Sequence, residues 1–272
     1  MQEHPKFRAY IGQLKLDFTL RKLRFFLRLT GQTEMRVSTP HPTSQSFADR
    51  ADAGTQLAEL LAQQPVKPGT VVLALPRGGL PIGVAIAQRF GLPLEPLLVR
   101  KLGVPHFPEF AMGAMATGGI CLVDDVVVKE LNLSDQAVRQ VIESEQRILA
   151  EREQRYGASV PLSNLRGREV IVCDDGMATG RTMQAAIAAL RAAKVAAITV
   201  AVPVMSQEAL ARVAPLVKQV ESLLCPASFD AVGQWYRNFP QLGDDEVIRL
   251  LSQVQRLSAS VSTTGKVSTS SS

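Results

Sequence analysis

The chain has 272 residues, of which 46% are hydrophobic, 20% charged and only 5% aromatic. These proportions exclude a largely disordered chain, a collagen-like repeat or a heptad fibre, and they require an aliphatic core in one large domain or two small ones. The formal charge of +5 is local: eight of the 30 basic and three of the 25 acidic side chains fall in residues 1–45, leaving 22 of each beyond. A neutral body is no argument for a nucleic-acid-binding core.

Residues 1–45 read as a separate basic extension. On a helical wheel Arg21, Arg24 and Arg28 share one face and Leu20, Leu23 and Leu27 another. Such a helix can touch an anionic membrane surface or remain solvated. Met35 is an alternative start, since a polar leader, Ser38 to Gln45, follows it. The first turns hold Glu3, Lys6, Arg8, Lys15 and Asp17, which does not match a secretory signal.

Apolar helical spacing then runs from Phe47 to Gln64. Val71–Leu75 reads as a strand ending in Pro76-Arg77-Gly78-Gly79, Ile82–Phe90 as a helix, and Leu94–Val99 as a strand. Residues 102–119 contain Gly103, Pro105, Pro108, Gly113, Gly118 and Gly119, the pattern of a long mobile loop or lid. An amphipathic helix is expected over Ser134–Tyr156, burying Val138, Val141, Ile142, Ile148 and Leu149, with Glu143 and Arg147 spaced for an ion pair. Strands at Glu169–Cys173, Ala197–Val202 and Val220–Leu224 alternate with helices at Arg181–Ala193 and Glu208–Val213. Short aliphatic strands alternating with helices predict an α/β fold, a parallel twisted sheet covered on both faces. Residues 46–257 are taken as that domain and 258–272, nearly all Ser, Thr and small residues, as a disordered tail.

Cys121, Cys173 and Cys225 are odd in number and far apart, with no CxxC pair or Cys/His cluster. Structural zinc and a disulfide framework are therefore disfavoured, and a reduced cytoplasmic setting is expected. The longest apolar run, Val195 to Met205, is too short to span a bilayer.

One segment concentrates the chemistry: Val170-Ile171-Val172-Cys173-Asp174-Asp175-Gly176-Met177-Ala178-Thr179-Gly180-Arg181-Thr182. A strand delivers two carboxylates to the rim of the sheet. The following turn offers backbone N–H groups, the Thr179 and Thr182 hydroxyls and a helix N-terminus, all of which favour an anion. Gly180 permits close approach. The acids would repel a phosphate. They suit the hydroxyls of a sugar, or a metal held through water. A sugar phosphate is the implied ligand. Neither a P-loop nor a GxGxxG fingerprint is present.

This segment resembles the phosphoribosyl pyrophosphate motif of the type I phosphoribosyltransferase family, most closely a bacterial group of phosphoribosyltransferase-like proteins. The resemblance runs from about Phe47 to Leu251 and implies a parallel sheet with a small hood. It assigns Asp174 and Asp175 to the ribose hydroxyls, and Gly176, Met177, Ala178, Thr179, Gly180, Arg181 and Thr182 to the 5′-phosphate. Gly176 stands where many members carry an apolar β-branched residue. Arg77, Gly78 and Gly79 resemble the pyrophosphate loop, and Arg100 and Lys101, in Val99-Arg100-Lys101-Leu102-Gly103, a catalytic pyrophosphate clamp. Phe229 and Trp235, within the stretch from Phe229 to Tyr236, stand where relatives stack the acceptor base, with Asp230 or Gln234 able to pair with its edge. The resemblance implies transfer of phosphoribosyl to a nitrogenous acceptor with release of pyrophosphate. It also implies Mg²⁺ with no direct protein ligand and a homo-oligomer. No strong general base is visible, although His106 lies in the expected lid. A non-catalytic binder of the same donor is the alternative, and a hydrolase of ribosyl phosphates a third. The acceptor is not legible.

Overall fold

A computed structural model describes residues 34–37, 46–156 and 161–253. The basic helical face around Arg21 to Arg28 and the tail over 258–272 lie outside the described residues.

The main sheet has six parallel strands in the order β1 (Glu34–Val37), β9 (Gln219–Leu224), β8 (Ala197–Val204), β7 (Glu169–Cys173), β2 (Val71–Ala74), β3 (Leu94–Pro96). β1 belongs to the stretch read as an extension and adds an edge strand beside β9. β2 and β7 are buried along nearly all their length, as a sheet covered on both faces requires. Successive side chains leave opposite faces. Val72, Ala74, Ile171 and Cys173 join α1 (Arg50–Leu61) and α2 (Gly79–Phe90) in one core. Val71, Leu73, Val170 and Val172 join α5 (Arg181–Ala192) and α6 (Gln207–Val213) in another.

Helix α1 begins with reciprocal caps. Asp49 accepts from the Asp52 backbone N–H at 2.9 Å, and Asp52 accepts from that of Ala48 at 2.8 Å. Gly54 lets α1 cross α2 closely, since a Cβ there would lie 3.0 Å from Ala85 Cβ and Ile82 Cα.

The expected loop over 102–119 is instead sheet. Strands β4 (Val99–Val104), β5 (Phe107–Ala116) and β6 (Ile120–Val123) form an antiparallel unit. Its glycines are structural devices rather than loop punctuation. Gly103 lies at a register shift, and a Cβ on Gly113 would meet the Leu122 carbonyl oxygen at 2.1 Å. Gly118 and Gly119 make the β5–β6 turn with φ of 79° at each. The single strand expected over 94–99 is divided, β3 staying in the main sheet and β4 opening the second. The antiparallel unit, α3 (Asp125–Glu130) and α4 (Asp135–Tyr156) share a third core around Leu98, Leu102, Met112, Val138 and Leu149. They form a small second unit. Arg147 donates to the Glu143 backbone carbonyl at 3.3 Å, where a side-chain ion pair was expected. Among the described residues no helix is long and apolar enough to cross a membrane.

The chain leaves β2 toward β3 on one side and returns at β7 to build outward through β8 and β9 on the other. The strand order therefore reverses between β2 and β7, where Ala74 pairs with Cys173. Open α/β sheets bind ligands beyond the carboxyl ends of strands at such a switch point.

Candidate functional site at the carboxyl edge of the sheet

The loops after β2 and β7 meet at this switch point. Leu75 N–H donates to the Cys173 carbonyl at 2.9 Å. A Cβ on Gly79 would lie 2.7 Å from the same oxygen, and one on Gly78 would lie 2.0 Å from Asp175 Oδ2. Glycine at 79 lets the two backbones touch, and glycine at 78 leaves room for the Asp175 carboxylate. The Pro76–Arg77 peptide bond is cis.

Asp174 and Asp175 emerge where the strand ends. Asp174 Oδ1 accepts from the Asp175 backbone N–H at 2.9 Å. Burial, and then the neighbouring Asp175 charge, push the Asp174 carboxyl well above the usual carboxylate range. Asp175 Oδ2 accepts from Arg50 Nε at 2.8 Å, with side chains 15% and 9% exposed. Arg50 Nη1 donates to the Pro240 carbonyl at 2.8 Å, and its guanidinium lies 3.7 Å from the Phe239 ring centroid. Tyr236 Oη donates to the Asp175 carbonyl at 2.6 Å, and burial pushes that phenol up. A carboxylate pair so held can accept hydrogen bonds from a vicinal diol.

The turn after the acids runs into α5. Gly180 caps the helix with φ of 69° and no side-chain capping bond. Met177 is buried, whereas Ala178, Thr179 and Thr182 are exposed. The turn is pinned from behind: Met177 N–H donates to Val204 O at 3.0 Å, and the Ser206 hydroxyl donates to Ala178 O at 2.6 Å. The same hydroxyl accepts from Ala209 N–H, capping α6. A 12-residue helix with its N-terminus behind two exposed hydroxyls can hold an anion.

Gly176 has a steric explanation. A Cβ there would lie 2.6 Å from Val232 Cγ1 and 3.1 Å from Val204 Cγ1. Val232 occupies the space that an apolar side chain at 176 would fill.

Arg77 is 38% exposed and lies 3.7 Å from Asp244, whose other partners are Arg155 and Tyr156 at the end of α4. Those partners hold the Asp244 carboxyl below its ordinary range. The Gly79 N–H donates to Leu75 O at 3.0 Å, so it is used inside the turn. Arg100 and Lys101 are consecutive on β4 and face opposite sides of the antiparallel sheet. Arg100 pairs with Glu145 of α4 at 2.6 Å. His106 lies in the tight β4–β5 turn with φ of 65°. The structure therefore joins the acids, Gly78, Gly79 and the phosphate-type turn directly. It separates Arg100 from Lys101.

Phe229 and Trp235 lie 6.2 Å apart between ring centroids, tilted by 31°, and are partly buried against the first core. Trp235 Nε1 is buried without a hydrogen-bond partner. Sequence reasoning missed Arg50, Ser206, Phe239 and Asp244. Arg50 had one legible signal: it heads the buried stripe of Ala53, Gly54, Leu57 and Leu61 on α1, a place for an apolar residue. Ser206 follows the N-cap preference.

The phosphoribosyl transferase domain family matches residues 48–233. The chain belongs to this family. It is 43% identical over 215 residues to two Mycobacterium tuberculosis proteins, MT0597 (strain CDC 1551 / Oshkosh) and Rv0571c (strain ATCC 25618 / H37Rv), both provisionally named phosphoribosyl transferases. The match covers 77% of this chain and 47% of each relative, so the chain spans about half the length of these curated relatives. Its fold is similar to that of TT1426 from Thermus thermophilus, with a TM-score of 0.69 and 36% identity, covering 76% of this chain and 98% of that one. Both loops of the candidate site fall inside the family match.

Proposed function

We propose that the chain is a phosphoribosyltransferase that takes phosphoribosyl pyrophosphate as donor and transfers phosphoribosyl to a nitrogenous acceptor. One observation carries this reading: paired acids and a pinned, glycine-capped helix N-terminus leave the same strand of a family domain, against a glycine loop from the next strand. The acceptor nitrogen forms a bond to the anomeric carbon as the carbon–oxygen bond to pyrophosphate breaks. The electron pair leaves with pyrophosphate, and a proton carried by the nitrogen passes to water. Asp174 and Asp175 bind the 2′- and 3′-hydroxyls, and residues 176–182 hold the 5′-phosphate. Arg77 with its glycines, together with Lys101, meets the pyrophosphate charge, while Arg100 stays paired with Glu145. Phe229 and Trp235 flank the acceptor.

Magnesium belongs to the same proposal. Two adjacent carboxylates, with no larger group of potential metal ligands among the described residues, fit an ion held by the donor's diphosphate and reached by Asp174 and Asp175 through water. When bound, such an ion neutralises charge on the departing pyrophosphate. A homo-oligomer in the cytoplasm, with Cys121, Cys173 and Cys225 as free thiols, completes the reading.

A non-catalytic donor-binding regulator is the second reading, favoured by the Arg100–Glu145 pair, which engages one expected clamp cation inside the hood. Pyrophosphate release with Mg²⁺ against a panel of purines, pyrimidines and amines decides between them. Release that depends on one acceptor supports the transferase. Donor binding without release from any acceptor supports the regulator, and acceptor-independent release a hydrolase.

A further inference from the structure

Arg50 is held on three sides at the switch point. Its Nε meets Asp175 Oδ2, its Nη1 meets the Pro240 carbonyl, and its flat face rests on Phe239. Phe239 in turn stacks on Tyr236 at 4.8 Å between centroids, and Tyr236 donates to the carbonyl of the same Asp175. The acid is thus gripped at its carboxylate and at its backbone. On its remaining side it abuts Gly78 of the neighbouring loop. Tyr236, Phe239 and Pro240 all lie beyond residue 233, where the family match ends.

Stability is a poor reason for such a pair. Desolvating two charges costs about as much as their attraction returns, and apolar replacements are often as stable. A guanidinium bonded through Nε and Nη1 and stacked on its face has a geometric consequence instead: its position, and that of the carboxylate on Nε, is fixed. We propose that Arg50 is a positioning residue for donor binding, fixing Asp175 against Gly78 so that the two ligand loops keep a single spacing, with residues 236–240 as the opposite support. The proposal rests on the donor-site reading above.

The test uses the full chain and the variants Arg50→Met, Arg50→Lys, Asp175→Asn and their pairwise combinations. Affinity for phosphoribosyl pyrophosphate with Mg²⁺ is measured by calorimetry, with thermal unfolding in parallel. Arg50→Met and Asp175→Asn each weaken affinity by about tenfold to a hundredfold, the scale of a lost hydrogen bond to a charged group. The double variant binds no more weakly than Asp175→Asn alone, because Arg50 acts through that acid. Arg50→Lys keeps the charge, loses the fork and fails to restore affinity. If Arg50→Met does not fold, the Arg50→Lys/Asp175→Asn cycle carries the same expectation. Where turnover is measurable, KM rises while kcat stays within about twofold. Multiplicative losses in the double variant, or wild-type affinity in Arg50→Lys, overturn the proposal. If the wild-type chain does not bind the donor, the donor reading fails separately. The brace is then decided by the same cycle in thermal unfolding, where non-additive losses support it and additive losses overturn it.

Discussion

Replacing Gly176 with valine tests the packing of the acid loop directly. The backbone at Gly176 lies outside the left-handed region, so a side chain there meets no left-handed strain. Contact is then the main cost. The new Cβ would lie 2.6 Å and 3.0 Å from the two Val232 γ-carbons and 3.1 Å from Val204 Cγ1. Carbon atoms rest at about 3.5–4.0 Å, so the overlap is on the order of 1 Å against two side chains from different segments. Overpacking of this kind costs about 1–3 kcal/mol. For a domain of about 150–250 residues that lowers Tm by roughly 2–12 °C. Val232→Ala removes both nearest γ-carbons. The combined Gly176→Val/Val232→Ala chain is therefore more stable than the sum of the single changes by about 0.5–3 kcal/mol. Denaturant unfolding followed by circular dichroism measures all four corners. Wild-type stability in Gly176→Val, or strict additivity, would refute the claim that Val232 fills the place of a side chain at 176.

Asp174→Asn raises the thermal stability of the ligand-free protein at neutral pH. Its folded-state carboxyl is raised above the unfolded value, so the stabilising protonated form is fully present below the unfolded pKa and lost as pH rises through the folded one. The gain from asparagine accordingly fades in acid, and a gain independent of pH would contradict the assignment. Gly78→Ala places a Cβ 2.0 Å from Asp175 Oδ2, displaces that carboxylate from its place against Arg50 and weakens donor binding, whereas undiminished calorimetric affinity would show that the place of the carboxylate beside Gly78 is not needed.

Local pattern made much of this molecule legible. Val71–Ala74 and Glu169–Cys173 are apolar runs bounded by turn residues, and burial on both faces demands that composition. The acid pair and the glycine-capped turn are contiguous, so their geometry follows from one strand-to-helix junction. Gly103 and Gly113 misled because glycine marks a bulge or a close strand approach as readily as a loop, and one chain segment does not reveal the neighbour that decides. Arg50 was hidden for a related reason: its carboxylate partner lies 125 residues away. Tyr236 was legible as an aromatic near an acceptor, but its hydroxyl bond to the carbonyl of Asp175 spans 61 residues. The Arg100–Glu145 pair needed the packing of β4 on α4, which no periodicity encodes.

Calorimetric titration of phosphoribosyl pyrophosphate with Mg²⁺ into the wild-type chain, Asp174→Asn and Asp175→Asn puts the donor site to its most direct test. The geometry predicts saturable binding to the wild type and losses of about tenfold to a hundredfold or more in each variant, as expected when hydrogen bonds to a charged group worth about 1.5–3 kcal/mol are removed. Absence of binding to the wild type, or equal affinity in all three proteins, would contradict it.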